Sequence, residues 1–91
     1  MTTRRCRLDG RQRSKRAVLA KLARDLGWGR PIRNLDALHD VLRAEIPGPI
    51  EITWRITRRA HAELGADLAP LTATLREVAA ERPDVTVEIV P

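Results

Sequence analysis

Ile50-Glu51-Ile52-Thr53-Trp54-Arg55 alternates apolar and polar residues without a break, directly after Pro47-Gly48-Pro49. A period of two places Ile50, Ile52 and Trp54 on one face of a strand and leaves the other face to solvent. Two more stretches share the pattern: Arg5-Cys6-Arg7-Leu8, stopped by the turn signal Asp9-Gly10, and Val85-Thr86-Val87-Glu88-Ile89-Val90. The segments between them read as helices. Helical crossovers between successive strands imply a parallel sheet with right-handed connections. Because all three strands alternate, helices cover one face only. The expected fold is a single two-layer α/β domain over residues 1–91, a three-stranded parallel sheet with four helices in the order β-α-α-β-α-α-β.

The helices are read from their starts, stops and stripes. Ser14 caps a helix to about Leu26, with Val18, Leu19, Leu22, Ala23 and Leu26 inward and Gly27 as a left-handed stop. Asn34 caps a second helix, in which Leu35, Leu38 and Leu42 share a face with Val41 and Ile46 nearby. Thr57 to Leu64 forms a short third helix ended by Gly65. Asp67 opens a fourth to about Arg82, with Pro70 in its first turn and Leu68, Leu71, Leu75, Val78 and Ala79 inward. Trp28 and Trp54 are the whole aromatic content, so Leu, Ile, Val and Ala must build the core. Trp28, in the loop Gly27 to Arg33, reads equally as a core plug or as an exposed recognition anchor.

Composition narrows the function. Cys6 is the lone cysteine, which precludes an internal disulfide and suits a reducing compartment. No apolar run approaches a membrane span, and no apolar stretch follows the charged Met1–Arg7 segment, so a cytoplasmic location is expected. His39, His61 and Cys6 are too scattered for a zinc site, and neither a phosphate-binding glycine loop nor a nucleophile elbow is present. The chain reads as a non-enzyme without cofactor. Net charge is +5, carried almost wholly by Arg, which permits nucleic-acid binding, but no recognition motif accompanies it.

The second helix holds the most distinctive chemistry. In Asn34-Leu35-Asp36-Ala37-Leu38-His39-Asp40, Asp36 and Asp40 stand one turn apart on the face opposite the leucines, with His39 at its edge. In the plain structural reading, Asp36 complements the helix dipole while Asp40 pairs with Arg43 or is merely solvated.

That run is similar to the Asn-Leu-Asp-Ala-Leu-Trp-Asp signature of the barstar family, intracellular inhibitors of barnase-type extracellular ribonucleases. Pro49-Ile50-Glu51-Ile52-Thr53-Trp54-Arg55 resembles the family's middle strand, and Leu75-Arg76-Glu77-Val78 through Glu81, with the strand from Asp84, resembles its last helix and strand. The resemblance spans nearly the whole chain. It implies a two-layer domain on a three-stranded parallel sheet in sequential order. It also implies tight binding over a ribonuclease active site through the second helix and the loop before it. Asp40 would enter the nuclease's phosphate pocket, Asp36 would support it, and Glu77 would face the partner from the last helix. A site built for phosphate is cationic, and a rigidly held carboxylate can occupy it with charge-assisted bonds.

The departures from the family pattern are local. Arg30-Pro31-Ile32-Arg33 replaces an aromatic run, so Trp28 is a candidate for the aromatic contact, and His39 stands where the family carries Trp. Type members are acidic and this chain is basic. The expected partner, bound by a monomer, is therefore a ribonuclease less basic than barnase, or one with an acidic rim meeting Arg30 and Arg33. The predicted partner-binding residues are Trp28, Arg30, Arg33, Asn34, Asp36, His39, Asp40 and Glu77. The alternative is a barstar-like domain with an altered surface that binds nucleic acid through its Arg-rich segments, or a non-nuclease protein.

Overall fold

Every strand in this chain has one oily face, and all three turn it to the same side. The structure, a computed structural model, describes residues 2–91. Strands β1 (Arg4–Leu8), β2 (Ile50–Arg55) and β3 (Val85–Val90) form one parallel sheet in the order β1-β2-β3. The register aligns Cys6 with Ile52 and Val87, and Leu8 with Trp54 and Ile89. Cys6, Leu8, Ile50, Ile52, Trp54 and Val85 are buried, whereas Arg5, Arg7, Glu51, Arg55, Thr86 and Glu88 face solvent. Helices α1 (Lys15–Asp25), α2 (Leu35–Asp40), α3 (Arg58–Leu64) and α4 (Leu68–Glu81) complete the two layers. The expected α/β architecture and strand order are the observed ones.

Helix α1 shows how local chemistry sets an element's limits. Ser14 is extended and its Oγ accepts the Ala17 N–H at 3.0 Å, satisfying one of the donors left over at the first turn. The far end closes in a Schellman arrangement. The Trp28 N–H donates to the Ala23 carbonyl at 2.8 Å and the Gly27 N–H to that of Arg24 at 3.3 Å, with Gly27 at φ +76°. Arg4 Nη1 donates to the remaining Leu26 carbonyl at 2.9 Å, tying β1 to the end of α1. The predicted inward residues Val18, Leu19, Leu22, Ala23 and Leu26 are all buried.

Three boundaries differ from the sequence expectation. Strand β1 begins at Arg4, because that residue's N–H pairs with the Pro49 carbonyl at 2.9 Å. Asp67 belongs to a 3₁₀ turn, Gly65–Asp67, and its side chain makes no capping bond to α4. The second helix is not continuous to Ile46: α2 stops at Asp40 and passes into a π-helical turn, Val41–Glu45.

The core is aliphatic around one large ring. Trp54 is wholly buried, and its indole Nε1 has no partner among the described residues. An unpaired buried donor costs about 1–3 kcal/mol, so packing volume is what the ring contributes. Cys6 is also in the core. Burial, reinforced by the neighbouring Asp25 charge, pushes its thiol up to about 12, which keeps it protonated and unreactive at neutral pH. Asp25 in turn is held below the usual carboxylate range, chiefly by its 2.6 Å bond from Lys21 Nζ.

Two outcomes test this account. Gly27→Ala places a Cβ at positive φ and against the Arg4 guanidinium, so urea unfolding should show a loss of about 1–3 kcal/mol. Gly29→Ala, which meets nothing within 4 Å, should stay within about 0.5 kcal/mol. The second outcome concerns acid. The carboxyls of Asp25 and Asp84 lie below their ordinary value of 3.8 in the folded chain, so the unfolded state takes up protons first as pH falls. Their contribution is complete above that ordinary value and is lost as pH drops below it. Thermal melts between pH 5 and pH 2 should show a falling Tm, with a shallower slope in Asp25→Asn.

Candidate partner-binding face

Asp36 and Asp40 owe their presentation to the start of α2. Asn34 is extended, and its Oδ1 accepts the Ala37 N–H at 2.7 Å, so the first turn is closed before the acids are reached. Leu38 anchors the opposite side with no exposed surface. Both acids are exposed; the Asp40 side chain is 72% accessible. Among the described residues neither carboxylate accepts a hydrogen bond.

The segment after α2 is held from outside. In the π turn the Ile46 N–H reaches back to the Val41 carbonyl at 3.0 Å. By the same five-residue step the Leu42 carbonyl would pair with residue 47, but that is a proline and has no N–H. Arg82, just past α4, supplies the missing donor. Its Nη1 bonds the carbonyls of both Leu42 and Ile46 at 2.7 Å. Nε and Nη2 grip the Asp84 carboxylate at 2.8 and 2.9 Å, a bidentate fork that holds the Asp84 carboxyl below its usual range. The same carboxylate fills the space where a side chain on Gly48 would lie. One guanidinium therefore joins α4, β3 and the end of the α2 segment.

A second, polar seam crosses from α2 to α4. His39 Nε2 lies 3.1 Å from Glu81 Oε1, Arg43 Nε lies 3.9 Å from Glu81 Oε2, and His39 Nδ1 lies 3.8 Å from Asp40 Oδ1. Of the two expected situations for Asp40, pairing with Arg43 or solvation, the structure has the second. Glu81 draws Arg43 toward α4, which leaves Asp40 with only the long His39 contact. His39 is mostly covered, its side chain 26% accessible, so it braces the two helices more than it faces outward. Glu77 is exposed one turn earlier on α4. Glu81 and Arg82 were missed as contributors to the site. The one-turn spacing of Glu77 and Glu81 was visible, but nothing local announces that Arg82 reaches carbonyls forty and thirty-six residues away.

The loop before α2 presents a different chemistry. Arg30, Pro31 and Arg33 are exposed, Ile32 is 7% accessible and packed into the core, and Trp28 is half-buried against the core. Trp28 is thus a core contact with one side open. The face consequently carries cations on the loop and acids on the helix that follows. Among the described residues no group of three or more His, Cys, Asp or Glu side chains is placed to hold a metal ion, and no helix is long and apolar enough to cross a membrane.

A sequential three-stranded parallel sheet, helices on one side and a short braced helix bearing bare carboxylates define a small α/β domain whose distinctive chemistry lies on a convex helix face. The chain belongs to the barstar family: the family model described as Barstar (barnase inhibitor) matches residues 1–90 of its 91 residues. A comparison with curated proteins finds no match.

The Arg82 clamp gives a sharp contrast. Removing it in Arg82→Met should cost about 3 kcal/mol or more by urea unfolding, since two carbonyls lose a charged donor and one has no helical alternative. Arg43→Met, which breaks only a 3.9 Å contact between half-exposed groups, should change stability by less than about 0.5 kcal/mol.

Proposed function

We propose that this protein is an intracellular inhibitor of a barnase-type ribonuclease, and that α2 blocks the enzyme's active site by offering carboxylates in place of substrate phosphate. One observation supports the reading most. The Asp40 side chain is 72% accessible and accepts no hydrogen bond, yet its helix is capped by Asn34 and clamped behind by Arg82. A carboxylate held this way brings its full hydrogen-bonding capacity to a cationic pocket and has little motion left to lose. Asp36 adds a second negative charge one turn earlier, and Glu77 extends the acidic surface onto α4. His39 acts as a brace through Glu81, and Asn34 acts through the helix it caps.

The protein acts as a monomer in the cytoplasm, without cofactor, on an enzyme destined for export. Family membership supports this reading. Trp28 and the exposed Arg30 and Arg33 flank the acids and set which nuclease is accepted, favouring one less basic than barnase.

A panel of basic and acidic barnase-type ribonucleases, assayed with wild type and Asp40→Ala, tests the proposal. Wild type should inhibit at least one member. Asp40→Ala should melt within about 0.5 kcal/mol of wild type, because the side chain is exposed, accepts no hydrogen bond and meets only His39 at 3.8 Å as a charged partner. Its inhibition constant should rise roughly 10–150-fold, the equivalent of one charged hydrogen bond at ~1.5–3 kcal/mol. Unchanged inhibition by a folded Asp40→Ala protein would rule out phosphate mimicry by this residue.

A further inference from the structure

Beside the N-terminal end of α2 lies an open groove of about 600 Å³, bounded by the first turns of α1 and the end of the preceding loop. Its floor is aliphatic: Leu19, Ala20, Pro31 and Ile32. Its rim is cationic: Lys15, Arg16 and Arg33. Among the described residues none of these three cations forms an ion pair. Their placement also works against the fold. Lys15 and Arg16 occupy the first two positions of α1, whose first turn holds no acid, and Arg33 immediately precedes the cap of α2. Cations at the positive end of a helix dipole are locally unfavourable, and such conflicts between local chemistry and fold concentrate at functional surfaces.

We propose that this groove seats an acidic segment of the partner protein that also carries aliphatic side chains, its carboxylates meeting the rim and its aliphatic groups covering the floor. Charge complementarity demands an anionic occupant. The lining selects its class: single-stranded nucleic acid is held by stacking bases on aromatic rings, and no aromatic residue lines this groove. Arg33, on the groove's rim, directly precedes the Asn34 cap of α2 and lies three residues before Asp36 in the chain. The partner would then present a cationic pocket for the acids of α2 and, beside it, an acidic projection for the groove. This deepens the inhibitor reading, and its test uses no nuclease, so either can fail alone.

The probe is a synthetic peptide of about ten residues alternating Glu with Leu, titrated into the ¹⁵N-labelled full chain and followed by NMR. Two controls accompany it, an all-Glu peptide of equal length and a uridine oligonucleotide. The amide shifts should concentrate at Lys15, Arg16, Leu19, Ala20, Ile32 and Arg33, and the all-Glu peptide should bind at least about tenfold more weakly. The double variant Arg16→Glu, Arg33→Glu should lose binding by a similar factor or more. Arg16→Glu alone should raise Tm by a few degrees, since an acid suits that helix position, and a cooperative melt of the double variant at or above the wild-type Tm separates lost binding from misfolding. Absence of shifts at millimolar peptide, shifts centred on Arg58 and Arg59 or on the open sheet face, equal binding of the all-Glu peptide, or tighter binding of the oligonucleotide would each overturn the proposal.

Discussion

The guanidinium of Arg82 is the point on which the presentation of α2 depends. A π turn followed by a proline creates a carbonyl that no backbone donor of its own segment can satisfy. The protein answers with a side chain from the other end of the fold, charged and almost covered. Because the same group is locked to Asp84 in a bidentate pair, it cannot swing away to water without releasing two helices and a strand together. A six-residue helix is too short to hold its shape by internal bonding alone. Its stiffness is borrowed from this clamp, from the Asn34 cap and from Leu38 in the core.

Much of this could be read from the chain because the signals were local. Alternation placed all three strands, and Ser14 and Asn34 announced the helices they cap through side-chain bonds at 3.0 and 2.7 Å, whereas Thr57, expected as the first residue of α3, is its cap at 3.1 Å. The Asn34–Asp40 run pointed to its own exposed acids for the same reason: a cap and an apolar stripe settle which way a carboxylate faces. What escaped detection was long-range. The break from α to π winding at Val41 has no composition signal. Its stabilisation by Arg82 is a tertiary contact, and so is the capture of His39 and Arg43 by Glu81. Trp28 was ambiguous in the sequence because its position two residues past the Leu26 cap of α1 invites a hydrophobic contact with that helix while leaving part of the ring open, and the structure has both.

The charges are sorted by role. On the open side of the sheet Arg5 and Glu51 pair across neighbouring strands at 3.3 Å, well exposed, an arrangement that keeps the surface wet and adds little stability. Lys21 and Asp25 are more covered and sit over the core cysteine, where a carboxylate without its ammonium partner would be costly. Around α2 the pattern divides: His39 and Arg43 meet Glu81, whereas Asp36, Arg30 and Arg33 form no ion pair among the described residues and Asp40 has only the long His39 contact. A net charge of +5 therefore understates how polarised this surface is, since the excess lies in arginines outside the α2 acids.

With neither Phe nor Tyr in the chain, the two indoles are its entire near-ultraviolet chromophore set. They occupy opposite situations, Trp54 sealed within the core against the sheet and Trp28 at the half-open rim of the loop before α2. Emission from the protein is therefore a sum of two optically separable populations, one blue-shifted and shielded from quenchers, the other within their reach. Iodide or acrylamide quenching resolves them without labels. A change confined to the accessible component marks an event at the loop before α2, while a red shift of the shielded one marks the opening of the core.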